Sequence, residues 1–180
     1  MALAEAAEAD VFSNVDVPST TVSADRPWWL DLLLARSPGP WRWSPGQVVM
    51  LLVIIAGAAL TVYSGYIHLY LWGRQPYPYR SIPTIGPLFL LQGIVGILLG
   101  VLVVATRRLF AVLLSAGFLV VSVAALVIDV EVGMFGFQDS WQVPYATSTL
   151  YVEIIGAVLL LIAAAALAWP AVAARSWRGR

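Results

Sequence analysis

Five side chains stand out in this sequence for the chemistry they could support: His68, Gln92, Asp129, Glu153 and Arg80. Four of them fall inside or at the rim of long apolar runs. An ionisable group at the centre of a bilayer costs about 2.5–3.5 kcal/mol and so requires a partner. Two readings compete for His68, the single histidine, and Glu153. One is a structural ion pair or hydrogen-bond network that satisfies buried groups and fixes helix register. The other is a site for an anionic, protonatable or amphiphilic ligand, lipid-like or weakly acidic, with His68 and Glu153 titrating as it binds. Histidine changes charge in the range of about pH 5 to 8, which suits that role. Asp129 and Glu131 border an acidic loop that also holds Asp139, and both are expected to reach water. Arg80 lies in a corner dense in proline and tyrosine, placed to pair with Glu153 or an anionic headgroup.

Other chemistries lack their residues. The absence of cysteine removes thiolate metal sites, disulfides and cysteine nucleophiles. One histidine cannot supply bis-histidine haem ligation. Catalytic zinc takes three protein ligands, and no spacing of His, Asp and Glu here marks such a set. There is no glycine-rich phosphate loop and no Gly-x-Ser-x-Gly elbow. The sequence therefore assigns no catalytic residue, cofactor or metal and leans away from an enzyme; a quinone-linked membrane enzyme ranks third.

The positioning elements follow from composition. The 180 residues are 61% hydrophobic and 11% charged, against about 25% charged in a soluble domain. Most of the surface must face lipid. A net charge of zero argues against nucleic acid as a partner. Residues 1–26 are polar and acidic and read as a disordered cytoplasmic tail. Residues 27–44 read as an interfacial helix, Pro27 to Arg36, and a linker broken at Ser37 to Pro40. The helix is too short to span, since a crossing takes about 20 residues, but its tryptophans and arginines suit an interface. Residues 45–170 hold four spans, about 48–71, 85–106, 109–128 and 148–169, each near the length a bilayer needs. Ser44 and Gln47 form a capping-box pattern ahead of the first. Pro170 and the basic tail 171–180 end the fourth. Between the first two spans, Gln75 to Pro78 is expected to be extended, because proline disfavours helix in the residue before it. The corner from Gly73 to Pro87 reads as a rigid connection with an aromatic belt, or else as a lid over a polar mouth.

Arginine placement orients the chain. Arg26, Arg36, Arg42, Arg107, Arg108, Arg175, Arg178 and Arg180 fall on one side, and Arg74 and Arg80 on the other. The positive-inside rule then places both termini in the cytoplasm of a plasma-membrane protein. Helical spacing gives each span one small and polar stripe: Gly57, Thr61, Ser64 and His68; Gln92, Gly96 and Gly100; Ser115, Ser122 and Asp129; Thr149, Glu153, Gly156 and Ala163. These predict an all-α four-helix bundle with a polar cluster near its outer mouth. Matches between Leu71–Gln75 and Met134–Gln138, and between the runs that begin at Gln92 and Glu153, suggest two duplicated hairpins.

Three segments carry a family likeness. His68-Leu69-x-Leu71-Trp72, Tyr79-Arg80-x-Ile82-Pro83-Thr84-Ile85-Gly86-x-Leu88-Phe89-Leu90 and Gly133-Met134-Phe135-Gly136-Phe137-Gln138 resemble a group of uncharacterised four-helix membrane proteins of high-GC Gram-positive bacteria. The resemblance spans roughly residues 45–170. It implies topology and localisation and brings no catalytic residue with it. Taken together, the sequence predicts a non-enzymatic accessory or structural membrane subunit, in contact with the bilayer and with a membrane-protein partner or further copies of itself. Binding or transport of a small molecule is the alternative.

Overall fold

The computed structural model describes residues 27–36, 44–74 and 79–176. The expected tail 1–26, the break at Ser37 to Pro40, the extended Gln75 to Pro78 and the last four residues lie outside the described residues. Most of the described chain is helical: α1 (Trp28–Leu33), α2 (Pro45–Gly73), a single 3-10 turn (Tyr79–Ser81), α3 (Ile85–Thr106), α4 (Leu109–Glu131) and α5 (Ala146–Ser176). Helices α2 to α5 are each long and apolar enough to cross a membrane. The outward faces carry exposed large apolar residues such as Leu52, Leu98, Val121 and Ile162. A soluble protein rarely exposes a contiguous apolar surface of this extent. The protein is a four-helix membrane bundle.

Local sequence sets the helix ends. The hydroxyl of Ser44 accepts from the backbone N–H of Gln47, and the Gln47 side chain accepts from the N–H of Ser44, with Pro45 opening the helix. The limits of α3 coincide with those expected. Helix α4 runs three residues further than the hydropathy suggested, through Asp129 to Glu131. Its end is closed by Gly133 at φ 86, whose N–H reaches the carbonyls of Ile128 and Asp129, the usual use of glycine after a helix. The side chain of Gln138 also donates to the carbonyl of Val130 at 3.0 Å. Helix α5 continues past Pro170 to Ser176, so proline does not end it as expected. Proline is tolerated inside membrane helices when neighbours re-satisfy the freed backbone groups.

Going round the bundle the order is α3, α2, α5, α4, with the α2–α3 contact most extensive and the α3–α4 contact least. Backbone approach explains the first. A Cβ on Gly65 would lie 2.7 Å from the carbonyl oxygen of Gly93 and 2.9 Å from the amide of Ile97. Small residues at helix crossings allow this in membranes, where packing rather than water exclusion drives association. Helix α1 docks on the end of the bundle that carries Arg107 and Arg108. Leu32 packs against the core there, the amide of Leu109 donates to the carbonyl of Ala35 at 2.9 Å, and Arg36 bridges to Arg108.

The two segments with matching sequence fold differently. Leu71 to Gly73 is the last turn of α2, and Arg74 is extended. Met134 to Phe137 instead forms a tight turn with backbone hydrogen bonds in both directions, and Phe135 and Gly136 both have positive φ. This turn brings Asp139 beside Tyr79.

Candidate functional site

The core comes in two apolar parts with a polar layer between them. Toward the arginine-rich end, Ile54, Val103, Val112, Leu119 and Leu160 form the larger cluster; toward the tyrosine-rich end, Ile67, Leu71, Tyr79 and Ile85 form the smaller. The residues of all four sequence stripes turn inward, with His68 and Gln92 only partly covered and the others buried.

Glu153 is the centre of the layer. It sits two turns into α5 and is fully buried. Its Oε1 accepts from the hydroxyl of Ser64 on α2 at 2.7 Å and from that of Ser122 on α4 at 2.5 Å. Ser122 in turn accepts a short hydrogen bond from the Gln92 amide on α3. One carboxylate oxygen thus gathers a residue from every spanning helix. Its other oxygen, Oε2, is buried with no hydrogen-bond partner. One turn along α2 toward the arginine-rich end, Thr61 donates to the carbonyl of Gly57 at 2.9 Å and lies 3.2 Å from the hydroxyl of Ser115.

His68 joins this layer indirectly. Its Nδ1 is 2.9 Å from the carbonyl oxygen of Ser64, and its ring lies against Phe89 at 5.1 Å. A carbonyl can only accept, so Nδ1 carries a proton and donates. The expected ion pair between His68 and Glu153 is not direct, since the backbone and hydroxyl of Ser64 stand between them. Nor does Arg80 pair with Glu153. It is exposed on the 3-10 turn, while the carboxylate is buried among serines.

Asp129 departs from expectation. It was expected to reach water, but it is 9% exposed and its Oδ1 is buried with no hydrogen-bond partner. The cause is the extra turn of α4, which holds Asp129 within the bundle. Glu131 does stay exposed, and its Oε1 accepts from the indole of Trp141 at 2.9 Å.

At the tyrosine-rich end, Tyr79 donates to Oδ2 of Asp139 at 2.7 Å and stacks on Phe89 with centroids 4.3 Å apart. Burial first, then the hydrogen bond and charge of Asp139, with a further contribution from Asp129, raise the Tyr79 phenol above its ordinary range. It therefore remains a donor across the physiological range. This contact was not legible in the sequence, because it joins two loops 60 residues apart.

Two cavities flank the contact. One, of about 140 Å³, lies between α3 and α4 and reaches Gln92, Ser122, His68, Asp129 and Asp139. The other, of about 480 Å³, is a bowl between the loops lined by Arg74, Tyr79, Gln138 and Asp139. Among the described residues, no three His, Asp or Glu side chains are grouped closely enough to hold a metal ion. No known protein family, characterised protein or solved structure matches the chain.

Proposed function

We propose that this protein is a non-enzymatic accessory or structural subunit of the plasma membrane, with both termini in the cytoplasm. The arginine asymmetry supports the orientation, with eight of ten arginines on the side assigned to the cytoplasm. The observation that carries the functional reading is the network of Ser64, Gln92, Ser122 and Glu153. It takes one side chain from each of α2, α3, α4 and α5 and joins them through three side-chain hydrogen bonds. Such a network fixes helix register. Its removal one residue at a time leaves unpartnered groups in a medium that cannot solvate them.

The test compares Glu153→Leu with the quadruple variant Ser64→Ala, Gln92→Leu, Ser122→Ala, Glu153→Leu, by melting in mild detergent and by folded yield. A lone Glu153→Leu strands two hydroxyls at about 1–3 kcal/mol each, whereas removing all partners together is close to neutral. The single variant should melt well below the parent and the quadruple should recover most of the loss. A single variant that melts like the parent, or a quadruple that melts no higher than the single, removes the support for a structural role.

A further inference from the structure

The cavity between α3 and α4 has a lining with one chemical sense. Leu88, Phe89, Val121, Ala125 and Leu126 make its apolar walls. Its volume of about 140 Å³ is close to that of an engineered cavity of about 150 Å³ that takes up benzene. The polar side chains that reach it are His68, Gln92, Ser122, Asp129 and Asp139. What each still offers follows from the bonds it already makes. Ser122 has given its proton to Glu153 and accepts from Gln92. Gln92 has turned its amide nitrogen to Ser122, leaving Oε1 as an acceptor. His68 has spent the Nδ1 proton on Ser64, which leaves Nε2 as the ring nitrogen without a described partner. Asp139 already accepts from Tyr79 and from the amide of Ser140, with lone pairs remaining on each oxygen. Asp129 has an oxygen with no partner. The spare capacity is dominated by acceptors.

Charge points the same way. Asp129 lies in the last turn of α4, at the negative end of the helix dipole, where a carboxylate is disfavoured and a cation favoured. Among the described residues no arginine lines the cavity; Arg74 lies in the neighbouring bowl. Among the described residues no three His, Asp or Glu side chains come together there as a metal site.

We propose that this cavity binds a small organic cation: an ammonium group held by Asp129 and Asp139, on an apolar body of about one ring set against Leu88, Phe89, Val121 and Ala125. Asp139 also lines the bowl on the other side of its contact with Tyr79. The weakly acidic ligand expected from sequence would meet two carboxylates there.

The test uses three probes of one shape: benzylammonium, benzyl alcohol and benzoate. Each is titrated calorimetrically into the full chain in nanodiscs of zwitterionic lipid, with empty nanodiscs subtracted. Benzylammonium should bind saturably, benzyl alcohol at least about tenfold more weakly, a factor of ten being the scale of one retained charge contact, and benzoate not at all. Asp129→Asn should weaken benzylammonium about tenfold and leave benzyl alcohol unchanged. Should that variant fail to fold, Ala125→Phe blocks the cavity from its apolar wall and must abolish saturable binding. Benzoate binding as well as benzylammonium, no saturable heat with benzylammonium, or affinity retained in either variant would overturn the proposal.

Discussion

Replacing Gly65 by alanine should destabilise the bundle, while the same replacement at Gly117 should not. Both glycines are inside helices, so the change in backbone preference is common to the pair and cancels in the comparison. What differs is the space. A Cβ at Gly65 would lie 2.7 Å from the Gly93 carbonyl oxygen and 2.9 Å from the Ile97 amide, both backbone, whereas a Cβ at Gly117 meets nothing within 4 Å. Backbone cannot rotate aside, so α2 and α3 must separate along their most extensive contact. Overpacking of this kind costs about 1–3 kcal/mol, and widening a helix crossing loses dispersion contacts along its length. Gly65→Ala should therefore fall below Gly117→Ala by about 1–3 kcal/mol. Gly156→Ala should lie between them, because its Cβ meets the end of the Leu119 side chain at 2.8 Å, which can turn away. Reversible unfolding in mixed micelles with increasing SDS reads these differences. Equal stability for the Gly65 and Gly117 variants would refute close backbone approach as the basis of the α2–α3 contact.

Three further outcomes are expected. Ser122→Ala removes the donor to Glu153 and the acceptor for Gln92, and should cost about 1–3 kcal/mol; a double-mutant cycle with Glu153→Gln that shows no coupling would contradict the shared network. Phe135 has φ 53 beside Gly136 in a tight turn and is 63% exposed, so Phe135→Asn, which suits such a turn, should raise stability by about 1 kcal/mol, given a left-handed cost of about 1–2 kcal/mol per ordinary residue; a lower melting temperature would count against it. The raised phenol of Tyr79 binds its proton more tightly folded than unfolded. Its contribution is thus complete below the ordinary value of 10.0 and declines as pH rises beyond it. Melting followed from pH 8 upward should show a steeper alkaline decline in the parent than in Tyr79→Phe, and parallel curves would contradict the Tyr79–Asp139 contact.

The sequence was most informative where periodicity decides. Glycine, serine and threonine at helical spacing marked the inward faces of all four spans, because a span in lipid must hide its polar groups whatever it packs against. The Ser44–Gln47 cap was legible because both partners lie within one turn. Register between helices was not. Ser64 and Ser122 stood on the right stripes, but nothing local says that their hydroxyls meet at one oxygen of Glu153, 89 and 31 residues away. Asp129 was misplaced because hydropathy falls at the first carboxylate, while the helix ends only where Gly133 supplies a left-handed residue. Pro170 misled for a related reason: in water it would end a helix, and within a membrane bundle it need not.

The order of the four network residues along the chain also sets the order in which they enter the bilayer. Ser64, Gln92 and Ser122 are all synthesised before Glu153, which follows Ser122 by 31 residues. At about 5–20 residues per second, that is a lag of a few seconds. Three polar but uncharged side chains, each cheap to insert, are therefore made ahead of the one carboxylate, whose insertion alone would cost about 2.5–3.5 kcal/mol. The last helix enters with its hydrogen-bond donors already made. A chain truncated before α5 would leave Ser64 and Ser122 without their shared acceptor and open to whatever quality control reads unpaired polar groups in a nascent membrane protein.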